Sequence, residues 1–373
     1  MKPIILLQVR SSSKRLPYKC FLLIKEIHSI IYLYNRIKSK KYDLSILTSN
    51  HKSDDYLAYV LKKKKINFYR GSLDNVKKRF LEFLKNKKYN TIVRITADNL
   101  FIDSSLIQLA LKKFKISNKN YMYIDHKKSN LPYGISVEIF DRKVLKKSKS
   151  KTSYDNEHVT SNLNKKNSNF KFKKFFKFRM YNLRCTLDYL SDYMNIKKMI
   201  NSKKTNTSWI SLCNNLKLVQ IDKGELKFKI KYTHELSKAD LYKIISLKRT
   251  FWKHSLESQK TYLFKNYKKK DKHIMLFKKN LLVGYNCLKN IYLDKFKYLL
   301  LDSFVVRDFY RGKGISNILL SKSMNEILNE NKTAYLLSNK NSYKLYSNFG
   351  WKIKKLNFFR KNDQSLIPME FKK

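Results

Sequence analysis

The first half of this 373-residue chain alternates short apolar runs with stretches of helical periodicity, which is the pattern of successive βαβ units. Four apolar runs predict buried strands, at residues 4–7, 44–47, 91–95 and 121–124. Between two of these runs, apolar residues recur at helical spacing and predict an amphipathic helix over residues 75–87. The sequence therefore predicts a three-layer α/β domain built around a parallel sheet.

A different pattern begins near residues 221–227, where a glycine-containing turn leads into a strand-like run. Ser237 follows as the predicted N-cap of a helix. Apolar runs predict the strands of this part of the chain at residues 228–232, 274–277, 281–285 and 298–306, the second and third of them forming a hairpin. We therefore expect two domains, residues 1–223 and residues 224–373, and the second is expected to be a mixed α/β domain.

The chain carries a formal net charge of +54, a value often found in proteins that bind nucleic acids or anionic membranes. However, the lysines are spread along the whole sequence and accompany many Asn, Ile, Tyr and Phe residues, with only 7 Gly and 4 Pro. This is the composition that an AT-rich genome produces. We therefore expect no specific nucleic-acid partner, while a basic nucleic-acid-binding protein stays as an alternative.

The sequence also limits metal binding, disulfide formation and export. Its 4 cysteines stand far apart without a Cys-x-x-Cys pair, which argues against a zinc site and against a disulfide framework. The apolar stretch at residues 3–7 is too short for the core of a signal peptide, and no run approaches the length of a membrane span. We therefore expect a cytoplasmic protein with no membrane partner.

A polar, basic loop follows the first predicted strand, at residues 8–19. Ligands of open α/β sheets bind at the carboxyl ends of the strands, where this loop begins. Arg10, Arg15 and Lys19 have the charge to neutralise a triphosphate, and backbone N–H groups with serine hydroxyls have the donors to bind its oxygens. A solvated basic loop in an already basic protein is the alternative interpretation.

This loop, Gln8-Val9-Arg10-Ser11-Ser12-Ser13-Lys14-Arg15-Leu16-Pro17-Tyr18-Lys19, resembles the Q-A-R-x-G-S-x-R-L-P-x-K signature of SpsF-type cytidylyltransferases. Six further blocks follow in the order of that family, at residues 48–49, 70–79, 93–99, 132–138, 157–160 and 183–192. The resemblance implies a Rossmann-like nucleotide-diphospho-sugar transferase fold. It also implies transfer of a cytidylyl group from CTP to a sugar or sugar-acid hydroxyl with release of pyrophosphate, and it leaves a homodimer open.

The resemblance further implies roles for individual residues. Catalytic roles fall on Arg10, Arg15 and Lys19, and nucleotide binding on Gln8, Ser12, Ser13, Thr48, Gly71, Arg79 and Asp98. Sugar binding falls on Gly134, Glu138, Glu157 and His158. Mg²⁺, which prefers carboxylate oxygens shared with substrate phosphates, falls to Asp98 and Asp188. For both aspartates, capping of the turn or helix that follows is the alternative.

Several positions depart from the family pattern. Ser12 and Tyr18 stand where the family usually has glycine, and Leu100 stands where it has proline. A side chain at the two glycine positions is expected to crowd the phosphates or to force a strained backbone. An amino-terminal domain that binds a nucleotide-sugar without catalysis is therefore an alternative.

A second motif follows the long strand predicted at residues 298–306. There Arg311-Gly312-Lys313-Gly314-Ile315-Ser316 opens a helix, and two glycines at such a turn let the backbone approach a pyrophosphate. The segment resembles the Arg/Gln-x-x-Gly-x-Gly/Ala motif of GNAT acetyltransferases, and residues 345–351 resemble the closing block of that superfamily. The resemblance implies binding of acetyl-CoA by Val305, Val306, Arg311, Gly312, Lys313, Gly314, Ile315, Ser316 and Asn341, or by Asn339 in place of Asn341.

Acetyl transfer to an amine needs a proton donor for the departing thiolate and a proton acceptor for the amine. The GNAT resemblance implies Tyr346 as the donor, with packing of this tyrosine against the sheet as the alternative. Asp302, Glu257 and His254 are candidate acceptors through water. Together the two halves predict a bifunctional enzyme that activates a sugar with CTP and acetylates an amino sugar for a surface polysaccharide.

Overall fold

A computed structural model describes residues 1–148, 152–163, 168–170, 175–176, 178–201, 207–218, 222–293, 296–354 and 366–373. Contacts between Cα atoms divide the chain into two compact units. The first unit comprises residues 1–12 and 22–222, and the second comprises residues 13–21 and 223–373. Ile221, at the predicted change of pattern, lies outside the described residues. The segment 13–21, which carries most of the basic loop, therefore groups with the second unit.

The first unit contains eight strands and eight α-helices within its described residues. Its strands are β1 (Ile4–Gln8), β2 (Leu23–Ile24), β3 (Ile27–His28), β4 (Asp43–Ser49), β5 (Phe68–Gly71), β6 (Thr91–Thr96), β7 (Tyr121–Tyr123) and β8 (Glu138–Asp141). Its helices are α1 (Ser29–Ile37), α2 (Asp55–Lys63), α3 (Val76–Leu84), α4 (Ser104–Ile116), α5 (Arg142–Lys147), α6 (Ser153–Glu157), α7 (Leu190–Asn201) and α8 (Trp209–Asn214).

Six of these strands form one sheet in the order β5-β4-β1-β6-β8-β7, while β2 and β3 form a small hairpin. The strands from β5 to β6 are parallel, but β8 runs antiparallel to both β6 and β7. The prediction of a parallel sheet is therefore wrong for this edge. A parallel connection needs a crossover of a dozen or more residues, usually a helix, and residues 124–137 between β7 and β8 are all described and contain none.

The predicted helix over residues 75–87 is confirmed as α3, which is shorter. The side chain of Asn75 caps its first turn by accepting a hydrogen bond from the backbone N–H of Lys78. Val76, Phe80 and Leu84 point into the core against strands β1, β4, β6 and β8. The helix ends at the last of these buried residues, because Lys85 and the residues after it have no further apolar stripe to bury.

The second unit contains seven strands and four α-helices within its described residues. The strands are β9 (Leu226–Tyr232), β10 (Lys272–Lys278), β11 (Leu281–Leu293), β12 (Phe296–Val306), β13 (Ala334–Ser338), β14 (Lys352–Ile353) and β15 (Ile367–Phe371). The helices are α9 (Lys238–Arg249), α10 (Leu256–Asn266), α11 (Ile315–Glu330) and α12 (Tyr343–Ser347). The predicted hairpin is confirmed as β10 and β11.

Its sheet has the order β14-β15-β13-β12-β11-β10-β9, and β12 with β13 is the parallel pair among its described strands. These two strands pair at only two positions, Leu299 with Ala334 and Leu300 with Tyr335. Beyond these positions they diverge, so along its carboxyl-terminal half β12 pairs with β11 on one edge, while its other edge has no neighbouring strand among the described residues. This divergence positions the candidate site of the second unit.

The predicted N-cap at Ser237 is confirmed as a capping box. The Ser237 hydroxyl accepts from the backbone N–H of Asp240, and the Asp240 carboxylate accepts from the backbone N–H of Ser237. Lys229 and Lys231 from β9 also donate to this carboxylate, at 2.7 and 2.8 Å. The start of α9 is thereby tied to the edge strand. Among the described residues, no helix is both long and apolar enough to cross a lipid bilayer.

Candidate active sites

The carboxyl ends of the parallel strands meet at one edge of the first unit's sheet. Gln8, the last residue of β1, lies in register with Leu47 of β4 and Thr96 of β6. Just beyond the strands, the backbone N–H of Ala97 donates to the Gln8 carbonyl at 3.0 Å. The loop after β1 and the loop that carries Asp98 therefore start side by side, as expected for the ligand-binding edge of an open α/β sheet.

A buried carboxylate, Asp54, organises this edge and was missed by the sequence analysis. It is fully buried, and its Oδ1 accepts from the backbone N–H of Ser11 at 2.7 Å. Its Oδ2 accepts from the Thr48 hydroxyl and from the backbone N–H of Ser49, both at 3.1 Å, and from the Ser49 hydroxyl. Thr48, predicted to bind nucleotide, is therefore buried and hydrogen-bonded to Asp54. The signal available in the sequence was an aspartate just after the Thr48-Ser49 block.

Arg79 is a buried cation at the same edge. Its side chain is only 1% exposed, and its Nε and Nη1 donors have no hydrogen-bond partner among the described residues. Burial lowers the pKa of Arg79 to about 10, with Arg10 acting in the same direction and Asp54 opposing it. A Cβ atom on Gly71 would lie 3.0 Å from the Cγ atom of Arg79, so the glycine leaves room for this side chain. Two unmatched donors on a buried guanidinium suit an anionic ligand.

Two predicted site residues, Gln8 and Glu138, are linked through Arg94 on β6. The Nε atom of Arg94 donates to Gln8 Oε1 at 3.1 Å, and its Nη1 lies 2.7 Å from Glu138 Oε2. The hydroxyl of Thr160 also donates to Glu138, at 3.0 Å. The predicted nucleotide-binding and sugar-binding residues are therefore joined across three neighbouring strands, and Glu138 forms a half-buried ion pair.

The basic loop reaches a second predicted sugar-binding residue. Arg10 Nη2 lies 2.6 Å from Glu157 Oε1. His158, next in the chain, is exposed, and its ring lies 4.1 Å from the ring of Tyr154. The structure therefore brings Arg10 and Glu157 together, while it leaves His158 at the surface.

The two predicted metal ligands lie on adjacent segments. The backbone N–H of Leu187 donates to the Asp98 carbonyl at 2.9 Å, which places Asp188 next to the Asp98 loop. However, the buried Asp188 carboxylate is 2.7 Å from Arg184 Nη2, and Arg184 also pairs with Asp192. No cluster of three metal-ligating side chains occurs in the described part of the chain. Asp98 is half-exposed, as a magnesium ligand shared with substrate phosphates has to be, and Asp188 has a cationic partner in Arg184.

Gly134 is required by the backbone that carries this aspartate. Its φ is +113°, a value that favours glycine, and a Cβ atom there would lie 2.6 Å from the backbone nitrogen of Thr186. Cys185 donates its backbone N–H to the Tyr133 carbonyl at 2.8 Å in the same contact. The glycine therefore allows two backbone segments to approach closely, which accounts for it without a sugar ligand.

The remaining residues of the basic loop behave differently from one another. Ser12 is exposed, and its φ is not in the left-handed region. Tyr18, the other replacement of a family glycine, is buried and has a φ of +55°. The strain expected from the missing glycines therefore falls on Tyr18 and not on Ser12. Ser13, Arg15 and Lys19 lie in the segment that groups with the second unit. The nucleotide-binding role predicted for Ser13 and the catalytic roles predicted for Arg15 and Lys19 stay predictions.

The second unit has a cavity of about 680 Å³ at the point where β12 and β13 diverge. Six of the predicted acetyl-CoA residues line it, namely Val305, Val306, Arg311, Gly312, Ser316 and Asn341. Lys313, Gly314 and Ile315 do not line it. The backbone N–H of Asn341 donates to the side chain of Asn339, which also lines the cavity. The structure therefore gathers most of this predicted set around one space.

The residues of the glycine turn divide into two groups. Gly312 and Gly314 have φ values of +72° and +85°, so both use the left-handed conformation that glycine adopts without strain. Gly314 is the N-cap of α11, and the turn places the first N–H groups of this helix beside the cavity wall. Ile315 is fully buried, and the ammonium of Lys313 lies 3.5 Å from the centre of the Phe309 ring. Ile315 and Lys313 therefore pack within the protein and do not line the cavity.

A β-bulge shapes the wall of the cavity on β12. The register with β11 shifts between Tyr285 and Cys287, which pair with Val305 and Asp302. The extra residue lies among Ser303 and Phe304, and Ser303 has a φ of +54°. Both side chains line the cavity. A left-handed, non-glycine residue in a strand is strained by about 1–2 kcal/mol, and such residues cluster at functional sites.

Tyr346 also lines the cavity, as a proton donor for the thiolate should. Its ring meets Phe304 edge to face at 5.8 Å between centroids. Burial raises the pKa of Tyr346, so the phenol is protonated at neutral pH. Tyr346 therefore packs against the sheet and also lines the cavity.

Of the three candidate proton acceptors, one lines the cavity and two do not. Asp302 lines the cavity and accepts from the hydroxyl of Tyr267 at 3.0 Å. His254 and Glu257 are exposed and do not line it. Lys248, a buried lysine behind this wall, was not predicted from the sequence. Its position on the apolar stripe of α9, after Ile244 and Ile245, was the available signal, but it is inconspicuous in a lysine-rich chain.

Comparisons with known proteins match one family in the amino-terminal part of the chain and another in the carboxyl-terminal part. Residues 4–218, more than half of the chain, match the family model described as Cytidylyltransferase, and residues 239–351 match the Acetyltransferase (GNAT) family model. The chain is 31% identical over 202 residues to an uncharacterized protein of Methanocaldococcus jannaschii, a match that covers 52% of this chain and 81% of that protein.

Two further relatives are similar over about half of the chain. The spore coat polysaccharide biosynthesis protein SpsF of Bacillus subtilis is 26% identical over 208 residues, covering 52% of this chain and 85% of SpsF. The solved structure of a cytidylyltransferase from Leptospira borgpetersenii is similar with a TM-score of 0.52 and 26% identity, covering 57% of this chain and 93% of that one. The chain thus belongs to the cytidylyltransferase family and carries a GNAT acetyltransferase domain in its carboxyl-terminal part.

Proposed function

We propose that the chain is a bifunctional transferase that activates a sugar or sugar acid with CTP and acetylates an amino sugar with acetyl-CoA. The observation that carries this proposal is the occurrence, on one chain, of two family-matched domains that each present an open sheet edge to a ligand. Both activities serve one product, because an N-acetylated amino sugar must be acetylated and activated before a glycosyltransferase uses it. The name of the SpsF relative supports a polysaccharide pathway.

In the first reaction, a sugar hydroxyl attacks the α-phosphorus of CTP, and pyrophosphate leaves. The chain contributes positioning and positive charge, which dominate catalysis of such transfers. Buried Arg79 offers two unmatched donors to a phosphate, and Arg10 lies at the same sheet edge. Glu157, held by Arg10, is proposed to contact the sugar.

Asp98 is the residue proposed to hold Mg²⁺ together with the phosphates of CTP. When bound, the ion supplies positive charge that offsets the charge building up on the transferred group. Asp188 is proposed as a second ligand only if Arg184 releases it. The chain also orients Asp98 through its backbone, because the Asp98 backbone carbonyl accepts a hydrogen bond from the backbone N–H of Leu187.

In the second reaction, an amine nitrogen attacks the thioester carbon of acetyl-CoA. The free edge of β12 beyond Leu300 leaves backbone groups for the extended arm of the coenzyme, and the turn at Gly312 with the N-terminus of α11 suits its pyrophosphate. Tyr346 is proposed to protonate the departing thiolate, because it is protonated at neutral pH and lines the cavity.

Mass spectrometry of reaction mixtures tests both halves. Purified protein is incubated with CTP, Mg²⁺ and a set of amino sugars and sugar acids, with and without acetyl-CoA. We expect pyrophosphate together with a CMP-linked sugar, and an acetylated product that forms only with acetyl-CoA. Formation of neither pyrophosphate nor an acetylated product with any member of the set would contradict the proposal.

A second candidate function is acetyl transfer by a protein whose first domain binds a nucleotide-sugar without turnover. The ion pair between Asp188 and Arg184 favours it, because that pair occupies a carboxylate expected to hold metal. Binding of CTP without release of pyrophosphate, unchanged in Asp98→Ala, would support this candidate. Release of pyrophosphate that Asp98→Ala abolishes would exclude it.

A further inference from the structure

Lys248 lies inside the second unit, directly behind the cavity wall. Its side chain is 3% exposed, and its Nζ is 3.1 Å from the hydroxyl oxygen of Ser303. Ser303 is the left-handed residue of the bulge, and it lines the cavity while Lys248 does not. The serine hydroxyl is therefore a bridge of one atom between a buried amine and the space where the acetyl group is proposed to bind.

A group of titratable side chains surrounds this amine. Tyr267 places its hydroxyl 2.9 Å from the Ser303 hydroxyl and 3.0 Å from the Asp302 carboxylate. Tyr262, from α10, lies with its ring centre 4.4 Å from the Lys248 ammonium. On the sheet side, Lys289 and Cys287 of β11 and His273 of β10 complete the charged and titratable groups that face it.

These surroundings make both charge states of Lys248 accessible. Burial lowers its pKa to about 8, and Lys289 acts in the same direction, while Asp302 and Cys287 oppose the change. The rings of Tyr262, Trp252 and Tyr267 lie within cation–π distance and favour the protonated form. A buried lysine whose pKa is near the operating pH has the property that a general base requires.

We propose that Lys248, in its uncharged form, receives through the Ser303 hydroxyl the proton that the acceptor amine loses. The inference rests on the acetyl transfer proposed above and names a positioning residue for it. As the C–N bond forms and the C–S bond breaks, Ser303 Oγ takes a proton from the amine nitrogen and passes its own to Lys248 Nζ. The electron pair of the C–S bond leaves on sulfur, which takes a proton from Tyr346, and Lys248 later returns its proton to solvent.

The test compares Lys248→Arg with the wild type, because arginine keeps the positive charge but does not lose its proton in this pH range. Lys243→Arg, an exposed lysine on the same helix, is the matched control. Thiol release from acetyl-CoA is followed with saturating D-glucosamine as the probe acceptor from pH 6 to 9.5. At saturation, titration of the free acceptor does not affect kcat.

We expect kcat of the wild type and of Lys243→Arg to rise through pH 8. We expect kcat of Lys248→Arg to be lower by about 100-fold at pH 8, as is typical for loss of general-base catalysis, with a KM for acetyl-CoA within about twofold. A Lys248→Arg profile that matches the wild type would overturn the inference. Absence of thiol release by the wild type with D-glucosamine and with every amino sugar of the set above would instead overturn the proposed acetyl transfer, and the inference with it.

A measurement on the wild type covers the case in which the variant does not fold. In protein labelled with ¹³Cε-lysine, the NMR resonance of Lys248 should titrate near pH 8, well below the exposed lysines. A comparison with Lys248→Met, which keeps most of the apolar stem, assigns the resonance. Titration of Lys248 above pH 10 would overturn the inference whatever the activity of the variants.

Discussion

Replacement of Asp54 by asparagine tests how the nucleotide edge of the first unit is held together. The two carboxylate oxygens divide their donors unequally, since Oδ1 accepts from Ser11 and Oδ2 accepts from Thr48 and twice from Ser49. An asparagine keeps the three hydrogen bonds that Oδ2 accepts only if its amide oxygen takes the place of Oδ2. Its NH₂ group then faces the backbone N–H of Ser11. One bond to a charged acceptor is then lost, and two donors face each other in a buried site.

The loss of one charge-assisted hydrogen bond and the creation of an unmatched buried donor give an expected destabilisation of about 2–4 kcal/mol. Hydrogen–deuterium exchange measured by mass spectrometry resolves the two units, so the change should appear in peptides from β1 and β4. Freed from Asp54, the loop after β1 should also bind CTP more weakly. Peptides from the second unit should exchange as in the wild type.

Asp55→Asn is the matched control. This neighbouring carboxylate is 34% exposed and pairs with Arg70, so its replacement should change stability by no more than about 1 kcal/mol. Equal exchange in β1 and β4 for Asp54→Asn and Asp55→Asn would refute the role assigned to Asp54.

Three further predictions follow from other contacts. Gly134→Ala should destabilise the first unit by more than about 2 kcal/mol, measured by urea unfolding, because the added Cβ meets the backbone of Thr186 at a positive φ. Asp240→Asn should destabilise the second unit by about 1–2 kcal/mol at pH 7. Burial opposes ionisation of Asp240, but hydrogen bonds from Lys229, Lys231 and Ser237 outweigh it and lower its pKa. The difference in stability between Asp240→Asn and the wild type should therefore shrink as the pH falls below about 4, the pKa of an aspartate in the unfolded chain. A difference that persists at pH 2 would contradict this prediction. Tyr346→Phe should lower kcat for thiol release by about 10–100-fold with little change in the KM for acetyl-CoA, and an unchanged kcat would assign Tyr346 to packing alone.

Local patterns predicted the features that depend on neighbouring residues in the chain. The core strands β1, β4 and β6, the helix α3 and the cap at Ser237 follow from apolar periodicity and a single capping residue, and the structure confirms them. The glycine turn that opens α11 could be found because left-handed positions favour glycine. Each of these features is determined by residues that lie within a few positions of it in the chain.

Features that depend on distant contacts were not predictable in this way. The antiparallel direction of β8 depends on how residues 124–137 return the chain to the sheet, and they carry no periodic signal. The roles of Asp54 and Lys248 depend on partners that lie close only after folding, such as Ser11 and Ser303. A charged residue in a basic, lysine-rich chain gives no sign of burial until its neighbours are known.

Isothermal titration calorimetry with CTP–Mg²⁺ and with acetyl-CoA shows whether each domain has its own phosphate-binding site, because it needs neither the sugar nor the acyl acceptor. We expect each ligand to saturate a single site per chain and to bind still after the other is saturating. We also expect Asp54→Asn to weaken CTP binding and to leave acetyl-CoA binding unchanged. Absence of binding by either ligand to the wild type, or competition between the two for one site, would contradict the assignment of one phosphate-binding site to each domain.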